Sequence, residues 1–191
     1  MENNAEWQFD YLTAKQCINS SSTVLDLSNG ILTLAEKLIP YLDTGKYQGN
    51  VVKKMTIQPE VDQSPIINNS AKTPHLDIIQ NFNCTITHPV DVAWEHNVFC
   101  HLAVYDAMLC LANVGKVADR FLFSYYDQES APPQHINQNK SHPEVKFYYT
   151  QSQIVTMCKH TGWSVLPASE QNHPNGLITM EAIKANNTTR T

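Results

Sequence analysis

The chain has 191 residues, 42% of them apolar, enough for one domain with a full core. Its formal net charge of -5 comes from scattered carboxylates, and the absence of any Lys/Arg-rich run argues against nucleic acid as a partner. No run approaches the roughly 20 apolar residues that span a bilayer, and the polar, acidic start "MENNAEWQFD" does not read as a secretory signal. A soluble, cytoplasmic, membrane-free protein is expected.

In chain order, an N-terminal helix precedes a β-run, "STVLDL", a polar turn with Gly30, and a helix with Ile31, Leu34, Leu38 and Leu42 on one face. "KYQGNVV" predicts a second strand. Residues 53–74 contain three prolines and little periodicity, so any helix there is short or irregular. "HLDIIQNF" (75–82) and "VDVAWEH" (90–96) read as strands, followed by a helix over about 101–113 and a strong strand, "RFLFSYY". Residues 127–144 form a long polar loop, the length expected of a lid or binding segment. Thr150 and Gln153 form a capping box that starts a helix carrying Ile154, Met157 and Cys158 inward. "WSVLPA" and "LITMEAI" close the chain as a hairpin around Gly176.

Strands alternating with helices predict an α/β fold. The expectation is a Rossmann-like, doubly wound, mainly parallel seven-stranded sheet with a C-terminal antiparallel hairpin, in a single domain over 1–191. The five cysteines show no C-x-x-C spacing and read as free thiols. "HPE" (142–144) lacks the P-C-x-x-C partner of a zinc deaminase, and Cys158 and His160 face apart on a helix, so no metal site is expected.

In such a sheet, ligands sit at the carboxyl ends of the strands near the point where strand order reverses, and the first strand-to-helix turn is the usual cradle. "DLSNGIL" is that turn. Together with "KYQGNVV", "VDVAWEHNVFCHL", "RFLFSYYD" and "VKFYYTQSQIVTMCKHTGWSVLPA", it resembles the class I S-adenosylmethionine-dependent methyltransferases of the small-molecule type, over about residues 10–183. The first motif departs from the family's V-L-D-x-G-x-G-x-G, with Ser28 and Leu32 at two of the glycine positions.

The resemblance implies S-adenosylmethionine as cofactor and a small molecule as methyl acceptor. It puts Asp26, Ser28 and Gly30 around the methionine part. Asn50 stands where the family has a ribose-binding carboxylate, with Val51 beside it, and Asn81 and Phe82 flank the adenine. Glu95, His96 and Asn97 lie under the reacting methyl group. Among candidate catalytic groups, His101 is the first choice for a base. Tyr105, Tyr125, Tyr126 and Asp127 shape the acceptor pocket, with His135 and His142 closing from the loop. Alternation sends Tyr125 and Tyr126 to opposite sides of the sheet, so one of them belongs to the core.

Three functions stay open at this level. They are methyl transfer, a catalytically inert methyltransferase-like protein acting through binding or as a partner subunit, and a cyclase or isomerase on the same fold. Homo- and hetero-oligomers are equally compatible with the sequence.

Overall fold

The structure, a computed structural model, describes residues 4–28, 33–53, 71–166, 173 and 175–185. Helix α1 (Asn4–Ala14) leads into β1 (Val24–Ser28), whose five residues are all buried, as a strand covered on both faces requires. Then follow α2 (Ala35–Tyr41), β2 (Tyr47–Val52), β3 (His75–Ile79), β4 (Val92–Glu95), a 3-10 turn (Phe99–His101) and α3 (Val104–Val114). The chain ends with β5 (Arg120–Asp127), the two-residue β6 (Tyr148–Tyr149), α4 (Gln151–His160), β7 (Trp163–Val165) and β8 (Ile178–Lys184). The Thr150 capping box forms as expected, with both reciprocal hydrogen bonds present.

The sheet order is β3-β2-β1-β4-β5-β8-β7. Every pairing along it is parallel except those of β8, which runs antiparallel to β5 and β7. Strand order reverses beside β1, which lies between β2 and β4. This is the mainly parallel sheet with a terminal antiparallel hairpin that the sequence predicts, with one addition. β6 arises just past the long polar loop and pairs with the carboxyl end of β5 through Tyr126 and Asp127.

Side-chain alternation splits the core into two layers. Leu25, Leu27, Ala93, Phe121, Phe123 and Tyr125 pack on the face covered by α3 and α4. Val24, Tyr47, Val51, Val92, Trp94 and Leu122 pack on the face covered by α1 and α2. Tyr125 is thus the core member of the Tyr125/Tyr126 pair.

Two elements differ from expectation for identifiable reasons. The third strand stops at Ile79 because Asn81 and Phe82 take φ of 50° and 58°, a left-handed conformation that no strand accommodates. Holding a phenylalanine there costs on the order of 1–3 kcal/mol, and its fully buried ring in the α3/α4 layer supplies the compensating contacts. The β3 to β4 link, residues 80–91, then contains no helix. It lies against β2 instead, held by two buried amides that share one strand face. Asn50 donates to Thr85 O at 3.0 Å and accepts from Thr85 N at 2.8 Å, while Gln48 donates to His88 O and accepts from Thr87 N. Each amide thereby satisfies backbone groups that a crossover helix would otherwise satisfy internally.

Candidate functional site

Asp26, the middle residue of β1, is 4% exposed and lies on the α1/α2 face. The Tyr47 hydroxyl donates to its Oδ2 at 2.8 Å. Burial pushes the Asp26 carboxyl up to about 6 against the opposing effect of that hydrogen bond, and pushes the Tyr47 hydroxyl well above its ordinary range. Ser28 is buried one step beyond, and Gly30 and Leu32 lie outside the described residues.

At the end of β2 the candidate ribose position, Asn50, is fully buried and its amide is spent on Thr85. Val51 points into the α1/α2 core at 1% exposure. After β3, the Phe82 ring is core, whereas Asn81 is exposed with its carbonyl accepting from Asn113 Nδ2 at 2.9 Å.

The end of β4 is organised by Glu95. Its fully buried carboxylate accepts from the N–H groups of Val98 and Phe99 through Oε1 and from Ser124 N at 3.1 Å through Oε2. Burial pushes it up to about 7, while the three N–H donors favour the charged form. One side chain therefore fixes the turn after β4 and ties β4 to β5. Asn97 completes the reversal at φ 65°, with its N–H 3.4 Å from Ser124 Oγ and its Oδ1 accepting from Cys100 Sγ.

His96 lies in an aromatic cluster that the sequence reading did not anticipate. Its ring stacks on His173 at 4.9 Å and 13° and lies parallel to Trp94 at 6.4 Å, and Trp7 of α1 meets His173 edge-on at 4.4 Å. The tautomers follow from the hydrogen bonds. Asn175 N donates to His173 Nδ1, so the neutral His173 carries its proton on Nε2, which donates to His96 Nδ1 at 3.3 Å. Burial holds His96 down to about 3 and His173 to about 4, so both are neutral at pH 7. His173 sits in a turn 77 positions from His96. A lone histidine in "HPNG" gave no local signal of that pairing.

His101, at the end of the 3-10 turn, is 9% exposed, and its Nδ1 donates to Val145 O at 2.8 Å. Burial lowers its basicity. Tyr126 is half-buried, packs on Tyr148 at 5.4 Å and carries the Lys146 ammonium 4.7 Å over its ring. Segment 145–148 thus links His101 and Tyr126. Tyr105 does not join them. It is 75% exposed and lines a different cavity, on the flank of α3. His135 packs edge-on against Tyr148 and lies 3.1 Å from Asn137 Oδ1, while the His142 ring accepts from Glu144 N. Asn137 also pairs with both backbone groups of Tyr148, anchoring the polar loop to the free side of β6.

All five cysteines are free. Among the described residues, no group of three or more His, Cys, Asp or Glu side chains is placed to hold a metal, and no helix is long and apolar enough to cross a membrane.

No protein-family model and no curated protein sequence matches the chain. Solved structures do, by fold. Magnesium protoporphyrin IX methyltransferase from Synechocystis PCC 6803, crystallised with S-adenosylhomocysteine, superposes with a TM-score of 0.67 at 12% identity, covering 95% of this chain and 82% of that one. The Burkholderia thailandensis 1,6-didemethyltoxoflavin-N1-methyltransferase gives 0.68 at 13% identity, covering 97% and 80%. An S-adenosylmethionine-dependent methyltransferase from Clostridium acetobutylicum ATCC 824 gives 0.67 at 12%, covering 96% and 92%. The chain has the Rossmann-like fold of class I S-adenosylmethionine-dependent methyltransferases.

Two outcomes test this geometry. Glu95→Ala leaves three buried N–H groups unpaired, each worth about 1–3 kcal/mol, so chemical denaturation is expected to show a loss of about 3 kcal/mol or more. Glu95→Gln, which keeps one acceptor oxygen, is expected to lose less.

The second concerns pH. Unfolded histidines titrate near pH 6.5. On acidification below that value the unfolded chain takes up protons that the folded His96/His173 pair refuses, so the pair's contribution is full above about pH 6.5 and is lost as pH falls. Asp26 and Glu95, raised above their unfolded values, act in the opposite sense: their contribution is present at acid pH and falls as pH rises through about 4 to 7. The histidine part is isolated by comparison with the double variant His96→Phe/His173→Phe. The stability gap between the two proteins is expected to shift by about 2–4 kcal/mol between pH 7 and pH 5, to the variant's advantage at pH 5. A gap independent of pH would contradict a neutral stacked pair.

Proposed function

We propose that this protein binds S-adenosylmethionine at the carboxyl ends of β1 and β2 and transfers its methyl group to a small-molecule acceptor lying over the end of β4. The observation that carries the reading is Asp26, a buried carboxyl within β1, two residues short of its carboxyl end, in the strand beside which strand order reverses. A carboxylate there suits the ammonium group of the cofactor's methionine part, and the small Ser28 leaves room for its chain. The end of β2 fits less well, because Asn50 brings no charge and its amide is already paired with Thr85.

When bound, the cofactor supplies an electrophilic methyl on a sulfonium. The chain's own work is then alignment and exclusion of water. Trp94, His96 and His173 have near-parallel rings with Trp7 edge-on to His173, an aromatic cluster suited to packing beside a planar acceptor. Neither His96 nor His101 is tuned as a strong base, since burial depresses both. The acceptor class this favours carries its own nucleophile at neutral pH: an acidic hydroxyl, a carboxylate or a ring nitrogen. His101, with Nδ1 held by Val145, keeps Nε2 as the acceptor nitrogen and is the remaining candidate to take up a released proton.

A second reading is favoured by the Asn50 pairing itself: a protein that keeps the fold and acts through binding without methyl transfer. Titration calorimetry with S-adenosylmethionine and S-adenosylhomocysteine separates the two. Binding of both is expected, weakened about tenfold or more in Asp26→Asn, the loss of one charge-assisted hydrogen bond. Affinity is expected to fall as pH drops through about 6, where the Asp26 carboxylate takes up its proton. No binding heat with either compound would overturn the methyl-transfer reading.

A further inference from the structure

The β3 to β4 link passes without a helix, and beside it a cavity of about 590 Å³ opens on the flank of α3. Its walls are the turn after β3, the α3 residues from Tyr105 to Asn113 with Lys116 beyond, and the loop at Asn139 and Lys140. We propose that this cavity binds an anionic, hydroxylated small molecule of the sugar-phosphate class, at a site separate from the one at the end of β1.

Charge is the first argument. In a chain with a net charge of -5, Lys116 and Lys140 converge on one cavity. Among the described residues, neither has a carboxylate within ion-pair distance. The carboxylate in the wall, Asp106, is 7% exposed and accepts from the Ser141 hydroxyl. Two lysines suit one phosphate or carboxylate group; a nucleic acid would need a longer basic track.

Pre-organisation is the second. Asn113, 5% exposed, uses both ends of its amide within the wall. Its Oδ1 accepts from Lys116 Nζ at 2.6 Å, fixing the ammonium, and its Nδ2 donates to Asn81 O at 2.9 Å, fixing the left-handed turn. One buried side chain therefore positions a cation and a backbone reversal at the same cavity, and backbone strain of this kind gathers at ligand sites.

The third is the match to a hydroxylated ring. Asn81, Asn83 and Asn139 are exposed amides that donate and accept, as hydroxyl groups require. Tyr105, 75% exposed, offers an aromatic face at the rim against which the C–H face of a sugar can lie. The volume falls within the range of roughly 300–1,000 Å³ typical of small-molecule sites.

The experiment is titration of the full chain at pH 7.5 with glucose 6-phosphate, ribose 5-phosphate, glucose and inorganic phosphate, followed by calorimetry. At least one sugar phosphate is expected to bind at least tenfold more tightly than glucose or phosphate alone. Lys140→Met, at an exposed side chain with no hydrogen-bond or ion-pair partner among the described residues, is expected to weaken it at least fivefold. Tyr105→Ala is expected to weaken the sugar phosphate and leave inorganic phosphate unchanged. Saturating S-adenosylhomocysteine is expected to leave the affinity unaltered, whether or not it binds elsewhere. The proposal is overturned if neither sugar phosphate binds, if Lys140→Met binds as the native chain does, or if S-adenosylhomocysteine displaces the ligand.

Discussion

The carboxyl end of this sheet depends on one buried carboxylate. Glu95 is the last residue of β4, and it accepts from two N–H groups of the turn that follows and from one N–H of β5. A parallel strand pair leaves its carboxyl ends open, and a turn leaving such an end presents free donors that must be satisfied. Glu95 satisfies them with a side chain that never reaches solvent. The positions of Asn97 and His101 follow from that turn. The three donors offset part of its desolvation cost, which helps a carboxyl sit at the centre of an apolar layer.

Around this anchor the two faces of the sheet do different work. On the α1/α2 side, Asp26, Tyr47 and the stacked histidines form a buried polar and aromatic lining next to the reversal in strand order. On the α3/α4 side, polar groups hold chain segments in place. Gln48 and Asn50 hold the β3 to β4 link, and Ser141 links α3 to the polar loop through Ala103 N and Asp106. A helix in the β3 to β4 link would satisfy its own backbone. Here β2 side chains do so, and the flank of α3 stays open where the lysines gather.

Elements with a local cause were legible in the sequence. The buried run at 24–28, the Thr150/Gln153 capping box and the closing hairpin each carry their signal within a few residues, and the structure reproduces them. The alternation argument also identified one core tyrosine at the end of β5, and it is Tyr125. What the sequence hid is long-range. Nothing near Asn50 announces that its amide meets Thr85, and nothing near His96 announces a partner at His173. "NFN" extends an apolar pattern, yet Phe82 turns left-handed because its ring finds the core only that way. Tyr105 follows His101 by about one helical turn, but helix geometry carries it to another cavity. β6 rests on a partner strand and on Asn137, both invisible to local pattern.

The proposed site for a methionine-derived cofactor lies beside β1 and the end of β4. The most direct test is to record amide spectra of the isotope-labelled protein while adding S-adenosylhomocysteine. Shifts are expected to concentrate at Asp26, Ser28, Val51 and His96, with the amides around Lys116 and Lys140 unmoved. Shifts confined to the α3 flank, or none at saturating ligand, would contradict it.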